Sequence, residues 1–552
     1  MKKQDQQNEP KVNFEAPGPS STASDERQLY LEACGFAEAG QYEDARVRYQ
    51  NIERITTDAS LKALVKNDLA ALDAVEGKAE AALTGFEAAL SVDNSCMSAR
   101  SNLCTLQMHE LIADTAPSTI ASVDSSAPSV PMKQGRACRV AILSFLFNWP
   151  SRGGGIVHTV ELTQFLIRAG YEVRHLHARN LLWGVGSVDQ SLPIDSQPVG
   201  FDNSTWNRSD IQRAFRREVD RFDPDYVIIT DCWNFKPYLA EAVRDYPFFL
   251  RQQALECLCP LNNLRLLVSD DGQVNQCPKH QLATPQACID CVREHGAQSG
   301  KLHTAERTLS RVETSAYQEK LRWALEEAES VLVLNPLIAE MIGPHANSVQ
   351  VVTWGMDPVR FPWPWPDESE QPSVTPVKTI LMAGLVSELI KGFHVLHEAC
   401  RQLREKRRDF RLTATGEPAG SVDEFTRFVG WLSQDELPKQ MRQADILVMP
   451  TIAQEGLGRA TVEAMAVGRP VVASRIGGLP YTVKDRATGL LFEPGNSAEL
   501  AEKIECLLDD PELRQQMGMA GRRVFEEEFM WGKVIDRHYR PLFATRRARE
   551  PA

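Results

Sequence analysis

The run MPTIAQEGLGRATVEAMAVGRPVVASRIGGLP, residues 449–480, decides the fold. It reads as a strand end, a glycine-bearing loop, a short helix, a buried strand and a second glycine turn. Gly456 and Gly458 free the backbone just before a helix whose apolar side is Ala460, Val462, Ala464, Met465 and Val467. A helix start preceded by glycines presents N–H groups and a positive dipole end, which suits phosphate. Glu455 stands in the loop and Glu463 about one turn into the helix. Helical side chains lean toward the N-terminus, so Glu463 points back at whatever the loop holds. Carboxylates repel phosphate but bind hydroxyls, so the corner predicts a ligand that is part phosphate and part sugar. The bland alternative is an ordinary βα corner with two solvated acids.

The pattern extends beyond one corner. Glu455-x7-Glu463-Ala-Met-Ala is followed by Gly468-Arg-Pro-Val-Val-Ala, then Gly477-Gly478, then Gly489-Leu-Leu-Phe. This series resembles the retaining group 1 glycosyltransferases (glycosyltransferase family 4, GT-B fold), and the likeness runs over about residues 137–545. The resemblance implies two Rossmann-like lobes with a nucleotide-sugar donor held mainly on the second. Glu463 is expected on ribose hydroxyls and Glu455 on sugar hydroxyls. The N–H groups of Gly456, Leu457 and Gly458 face the diphosphate or sugar. Lys391 matches the family lysine that offsets charge on the leaving diphosphate, the largest electrostatic task. Gly384, Gly416 and Gly430 fall in the usual family order. Leu385 stands where the family has arginine, so either another cation replaces it, Arg459 first and Arg251 second, or the enzyme is slow.

Toward the N-terminus, residues 137–375 read as the first lobe, on the acceptor side. Arg139-Val-Ala-Ile-Leu-Ser is a continuous apolar strand, followed by Ser151-Arg-Gly-Gly-Gly155 and an amphipathic helix over 160–169. Strand, Gly-rich turn and helix form the first βα unit of a doubly wound sheet. The turn lacks G-x-G-x-x-G, which excludes a nicotinamide-type fingerprint. By the resemblance, Gly154 and Gly155 let a ligand approach closely. The strand over 225–230 ends at Asp231 and Trp233, and the strand over 247–253 ends at Gln253. Strand ends face the ligand crevice, so Asp231, Trp233, Arg251 and Gln253 are acceptor-side candidates. The family commonly carries histidine near Gln253. Trp354-Gly-Met-Asp357-x3-Phe361 resembles the link between lobes, with Trp354 in place of asparagine. The second lobe then spans 376–525, and a C-terminal helix and tail, 526–552, cross back to the first.

Residues 1–25 are polar and read as disordered. Within 26–112, Gly40-x-Tyr42-x2-Ala45-x3-Tyr49 is answered by Ala82-x3-Phe86-x2-Ala89 and Asn94, and Leu103 opens a partial third unit. The phase is roughly 34 residues with a small insertion, which resembles tetratricopeptide repeats; a plain helical bundle is the alternative. A Ser/Ala/Pro-rich linker occupies 113–136.

The chain has 552 residues, enough for two to four domains, and its 43% hydrophobic content is that of a globular protein. A net charge of −13 argues against a nucleic-acid partner. No apolar run reaches a membrane span and the start lacks a signal core, so a cytoplasmic protein is expected. Of twelve cysteines, five fall in an insertion at about 255–295. Cys259 and Cys277 flank a hairpin signal at Asp270-Asp271-Gly272, and Cys288-x2-Cys291 follows. Four thiolates suit structural zinc, with Cys257 as alternative ligand. An iron–sulfur cluster or unligated thiols stay open.

The fold class is therefore α/β, two Rossmann-like lobes behind an all-α helical-repeat domain. The expected function is transfer of a sugar from a nucleotide-sugar donor with retention, of hexosyltransferase type. No Asp-x-Asp pair stands at a strand end, so no catalytic metal is expected. The acceptor is open, a protein or peptide reached through the repeats being one option. A catalytically degenerate sugar- or protein-binding protein and a repeat-based interaction protein are the rivals.

Overall fold

In the computed structural model, the described residues are 26, 29–30, 32–34, 36–37, 42–76, 78–93, 96, 99, 132–363 and 377–544. Within the last two ranges, 134–135, 152, 189–191, 263, 269–273, 297–300 and 418–422 are not described. The expected disordered start and linker, to residue 131, lie outside them, as do the Pro-rich hinge at 364–376 and the hairpin tip at 269–273. The chain divides into two compact units, residues 1–126 and 127–552.

In the first unit, α1 (Tyr42–Ile55), α2 (Ala59–Val75) and α3 (Ala79–Val92) follow one another. Asp58 caps α2, its side chain accepting the N–H groups of Ser60 and Leu61. Ala45, Tyr49 and Ile52 of α1 are buried with Leu61, Val65 and Leu72 of α2. Ala70 of α2 packs with Ala82 and Phe86 of α3. A Cβ at Gly85 would lie 2.6 Å from the Ala70 Cβ, so glycine permits that close helix crossing. Gly40, Asn94 and Leu103, on which the repeat register depends, lie outside the described residues.

The second unit holds two parallel sheets. The first contains β1 (Arg139–Ser144), β2 (Glu172–Arg179), β3 (Ser196–Gly200), β4 (Tyr226–Thr230), β5 (Phe248–Arg251), β6 (Ser330–Val333) and β7 (Val349–Val351). Their order is β7-β6-β5-β4-β1-β2-β3. Nearly continuous apolar runs such as RVAILS and YVIIT are buried on both faces, as a helix-covered parallel sheet requires. α4 (Gly154–Arg168) follows β1, starting at the predicted glycine turn and six residues before the predicted helix start. A short antiparallel pair, Leu266–Val268 with Val274–Gln276, and α5 (Pro285–His295) form the cysteine insertion.

The second sheet comprises β8 (Lys378–Met382), β9 (Phe410–Ala414), β10 (Thr426–Phe428), β11 (Ile446–Met449), β12 (Val471–Ser474) and β13 (Gly489–Phe492). The order β10-β9-β8-β11-β12-β13 repeats the pattern of the first sheet. α6 (Phe393–Lys406) and α7 (Arg459–Ala466) are its helices nearest the crevice loops. Each sheet reverses direction beside its first strand, and ligands bind at the carboxyl ends of strands there. Residues 525–544 then return to the first lobe. Val534, Ile535, Tyr539, Leu542 and Phe543 are buried with Val140, Ile142, Leu162 and Leu166. The Tyr226 hydroxyl donates to the Phe543 carbonyl at 2.7 Å.

Candidate active site

The loop between β11 and α7 is held from three directions. The Asn335 side-chain amide, just past β6, donates to the Gly456 carbonyl at 2.6 Å. The Gly478 N–H donates to the Glu455 carbonyl at 2.8 Å. The Thr482 hydroxyl donates to the Leu457 carbonyl at 2.8 Å. Gly458, with φ at +79°, caps α7, and a Cβ there would meet Leu479 at 2.4 Å. A Cβ at Gly456 would meet the Leu334 side chain at 2.7 Å and the Gln253 carbonyl at 3.1 Å, so the loop of one lobe abuts strand ends of the other.

Lys391 ends the short turn Leu389–Lys391, and its Nζ lies 2.7 Å from the Glu455 carboxylate. Burial opposes the lysine charge, but Glu455 outweighs it and raises the lysine above its ordinary value. Thr451 and Ile452 both bond the Ile390 carbonyl at 2.9 Å, which ties that turn to the loop. Gly392, with φ at +76°, is needed there because a Cβ would lie 1.8 Å from the Pro450 carbonyl oxygen.

Arg459 is not free for phosphate in this arrangement, contrary to the expectation that it replaces the missing arginine. Its Nε donates to Glu463 at 2.9 Å and its Nη2 to Glu161 of α4 at 2.8 Å. Burial works against the cation, and the two carboxylates more than offset it. Arg251 is fully buried; its Nη1 donates to the Val352 carbonyl at 2.7 Å, while its Nε and Nη2 have no hydrogen-bond partner among the described residues.

On the first lobe, Gly154, Gly155, Asp231 and Gln253 meet. A Cβ at Gly154 would lie 3.1 Å from the Trp354 ring and 3.5 Å from Arg459 Cδ. One at Gly155 would lie 3.4 Å from Gln253 Cβ and 3.7 Å from Asp231 Oδ1. Gln253 accepts from the Trp354 indole at 2.8 Å and donates to Thr230 at 3.0 Å. Asp231 accepts from Ser144 at 2.9 Å, and burial pushes its carboxyl up to about 7. Trp233 stands apart, its backbone N–H donating to buried Glu306 at 2.8 Å. Gly384, Gly416 and Gly430 form a separate group beyond β8, β9 and β10. Gly384 N–H donates to Thr415 at 2.8 Å and Gly416 N–H to the Gly430 carbonyl at 2.7 Å.

The sequence reading missed Glu161, Asn335 and His158. Glu161 carried a signal, an acid inside the apolar run Ile156–Leu166. His158 is buried, its ring stacked between those of Trp354 and Trp531 at centroid distances of 5.9 and 5.1 Å.

In the insertion, Cys259 is partly buried and its thiol is raised by burial, with the N–H groups of Asn262 and Leu261 facing it. Burial pushes Cys288 and Cys291 up to about 11, and both feel Cys259 and Cys277. Cys257 is pushed up to about 12 by burial and belongs to the lobe's apolar core. Among the described residues, no three or more His, Cys, Asp or Glu side chains are gathered as a metal site requires. The four expected ligands are therefore neighbours without forming a closed tetrahedral set. No helix among the described residues is long and apolar enough to cross a membrane.

Residues 377–510 match the family model described as glycosyl transferases group 1. A glycogen synthase of Mycobacterium tuberculosis is 31% identical over 245 residues, covering 42% of this chain and 58% of that protein. A 2-deoxystreptamine glucosyltransferase of Streptomyces kanamyceticus is 32% identical over 243 residues, covering 40% and 62%. The chain thus spans less than two thirds of the length of either relative. Among solved structures, sucrose-phosphate synthase from Thermosynechococcus elongatus superposes with a TM-score of 0.54 at 18% identity, covering 74% of this chain and 99% of that one. Anabaena HepE in complex with UDP gives 0.51 at 15%, covering 74% and 100%. Residues 377–510 of the second lobe are thus similar to group 1 glycosyltransferases, and the larger unit has the two-lobed GT-B fold.

Proposed function

We propose that this protein is a retaining glycosyltransferase, of hexosyltransferase type, that takes its sugar from a nucleoside diphosphate donor. One observation carries the reading. Glu455 and Glu463 flank a glycine loop held rigid from both lobes, at the crevice where the sheet order reverses. Fixed N–H donors at a helix start suit phosphate, and fixed carboxylates suit hydroxyls. HepE, which shares the fold, is complexed with UDP, and a nucleoside diphosphate sugar is the donor class assigned here.

Lys391 supplies the cation for the departing diphosphate. Its pairing with Glu455 keeps it charged until phosphate oxygens compete for it. Asp231 and Gln253 face the glycine turn from the acceptor side. Helices α1, α2 and α3 of the first unit are assigned to recruiting a protein or peptide. A hydrolysis screen across nucleotide sugars tests the activity: one donor should be turned over slowly by the wild type and not by Glu455→Ala. Binding without turnover of any donor would favour the non-catalytic rival. That rival draws on one finding, that Arg459 is held by Glu161 and Glu463 rather than left to the loop.

For the insertion we propose one structural zinc on Cys259, Cys277, Cys288 and Cys291. The nearness of the four cysteines supports it, since Cys259, Cys288 and Cys291 each feel Cys277, and the latter two feel Cys259. Metal would draw the neighbouring thiols into the tetrahedral arrangement zinc prefers.

A further inference from the structure

Glu161 sits in the middle of α4, and 6% of its surface is exposed. Its carboxylate accepts hydrogen bonds from three separate parts of the chain. Arg459 of α7 donates at 2.8 Å, Arg360 of the link between lobes at 3.1 Å, and the Trp531 indole of the returning C-terminal segment at 2.9 Å. The chain of contacts continues on both sides. Arg459 reaches Glu463 at 2.9 Å, and Arg360 reaches the Gln434 side-chain oxygen at 2.8 Å.

The set balances, two arginines against two glutamates, and each side chain is nearly closed to solvent. Buried ion pairs of this kind fix register more reliably than they add stability. Glu161 is the one acid of the set on the first lobe; Arg459 and Glu463 are on the second. Separation of the lobes would break the Glu161–Arg459 pair first and leave Arg459 to close wholly onto Glu463. The carboxylate assigned to the donor would then be neutralised by its own neighbour.

We propose that Glu161 is a positioning residue that holds the two lobes in register and, through Arg459, keeps the Glu463 carboxylate set for donor. This rests on the donor assignment above. Lobe closure and donor affinity are then linked, each favouring the other by the same factor.

Glu161→Gln tests it, because the amide keeps the shape and the acceptor for Trp531 while losing the charge. Donor KM should rise about tenfold with acceptor KM unchanged, as expected for losing ground-state binding on one substrate. In an Arg459→Met background the same change should add nothing, since the effect passes through Arg459. Glu161→Asp should give a smaller rise. A lower melting temperature with unchanged donor KM would overturn the proposal and leave Glu161 as packing alone. Small-angle scattering of Glu161→Ala, judged on folded protein, separates the two readings. If the wild type binds no nucleoside diphosphate, the donor assignment fails, yet a larger radius of gyration for the variant would still show that Glu161 holds the lobes. An unchanged radius would remove that as well.

Discussion

Single residues set the chemistry of the crevice, and two of them titrate or bond in ways that measurements reach directly. Asp231 is held at about 7 by burial, although Ser144 and Thr159 bond its charged form and pull the other way. Its folded value is raised above the unfolded one, so the folded state holds the extra proton between about pH 4 and 7. Stability from this group is therefore present at low pH and is lost as pH rises through that window, by at most about 1.4 kcal/mol per unit. Asp231→Asn should flatten the curve and be more stable than wild type above pH 7, as followed by urea unfolding across pH. Identical slopes would contradict the assignment. Residue identity was also where the sequence reading was most mixed. Glu455 and Glu463 were legible because they lie eight positions apart in one motif, whereas Lys391 meets Glu455 from 64 positions earlier and Glu463 pairs with Arg459. Arg459 was expected on phosphate and is held by Glu161 instead, a partner almost 300 positions earlier in the chain. No local pattern encodes such a pairing.

At the scale of elements, the glycine turns and parallel strands were legible because period and turn chemistry are short-range. Helix Phe393–Lys406 ends where its Gly392 start and Arg/Lys finish predict. β3 was not read, since a strand with exposed alternate positions carries a weak apolar signal; the helix Arg208–Phe222 was not read although Ile211, Phe215, Val219 and Phe222 recur at helical spacing and are buried. One contact between elements is sharply testable. A Cβ at Gly355 would lie 2.2 Å from the Trp531 ring, against which the link between lobes packs. Gly355→Ala should therefore cost about 1–3 kcal/mol by overpacking. It should also displace the returning C-terminal segment, read as faster hydrogen exchange at residues 531–543. Wild-type melting and exchange would show that the segment is loosely seated.

Across the larger unit, a seven-stranded and a six-stranded sheet share one strand order but for the extra edge strand, the segments past their strands meet at Asn335 and Gly456, and function is assigned to that junction. The cysteine insertion is a separate matter of stability. Purified protein should carry about one zinc per chain by elemental analysis, and Cys288→Ser/Cys291→Ser should lose it. Iron with visible absorbance would replace zinc by a cluster, and absence of both would leave free thiols. The donor corner is the central claim, and titration calorimetry of the full chain with nucleoside diphosphates and their sugars tests it most directly. Wild type should bind one nucleotide family, and Glu463→Ala should weaken that binding by about 1–3 kcal/mol, the scale of lost hydrogen bonds to a charged acceptor. Equal affinity in wild type and Glu463→Ala, or no binding by the wild type, would contradict the account.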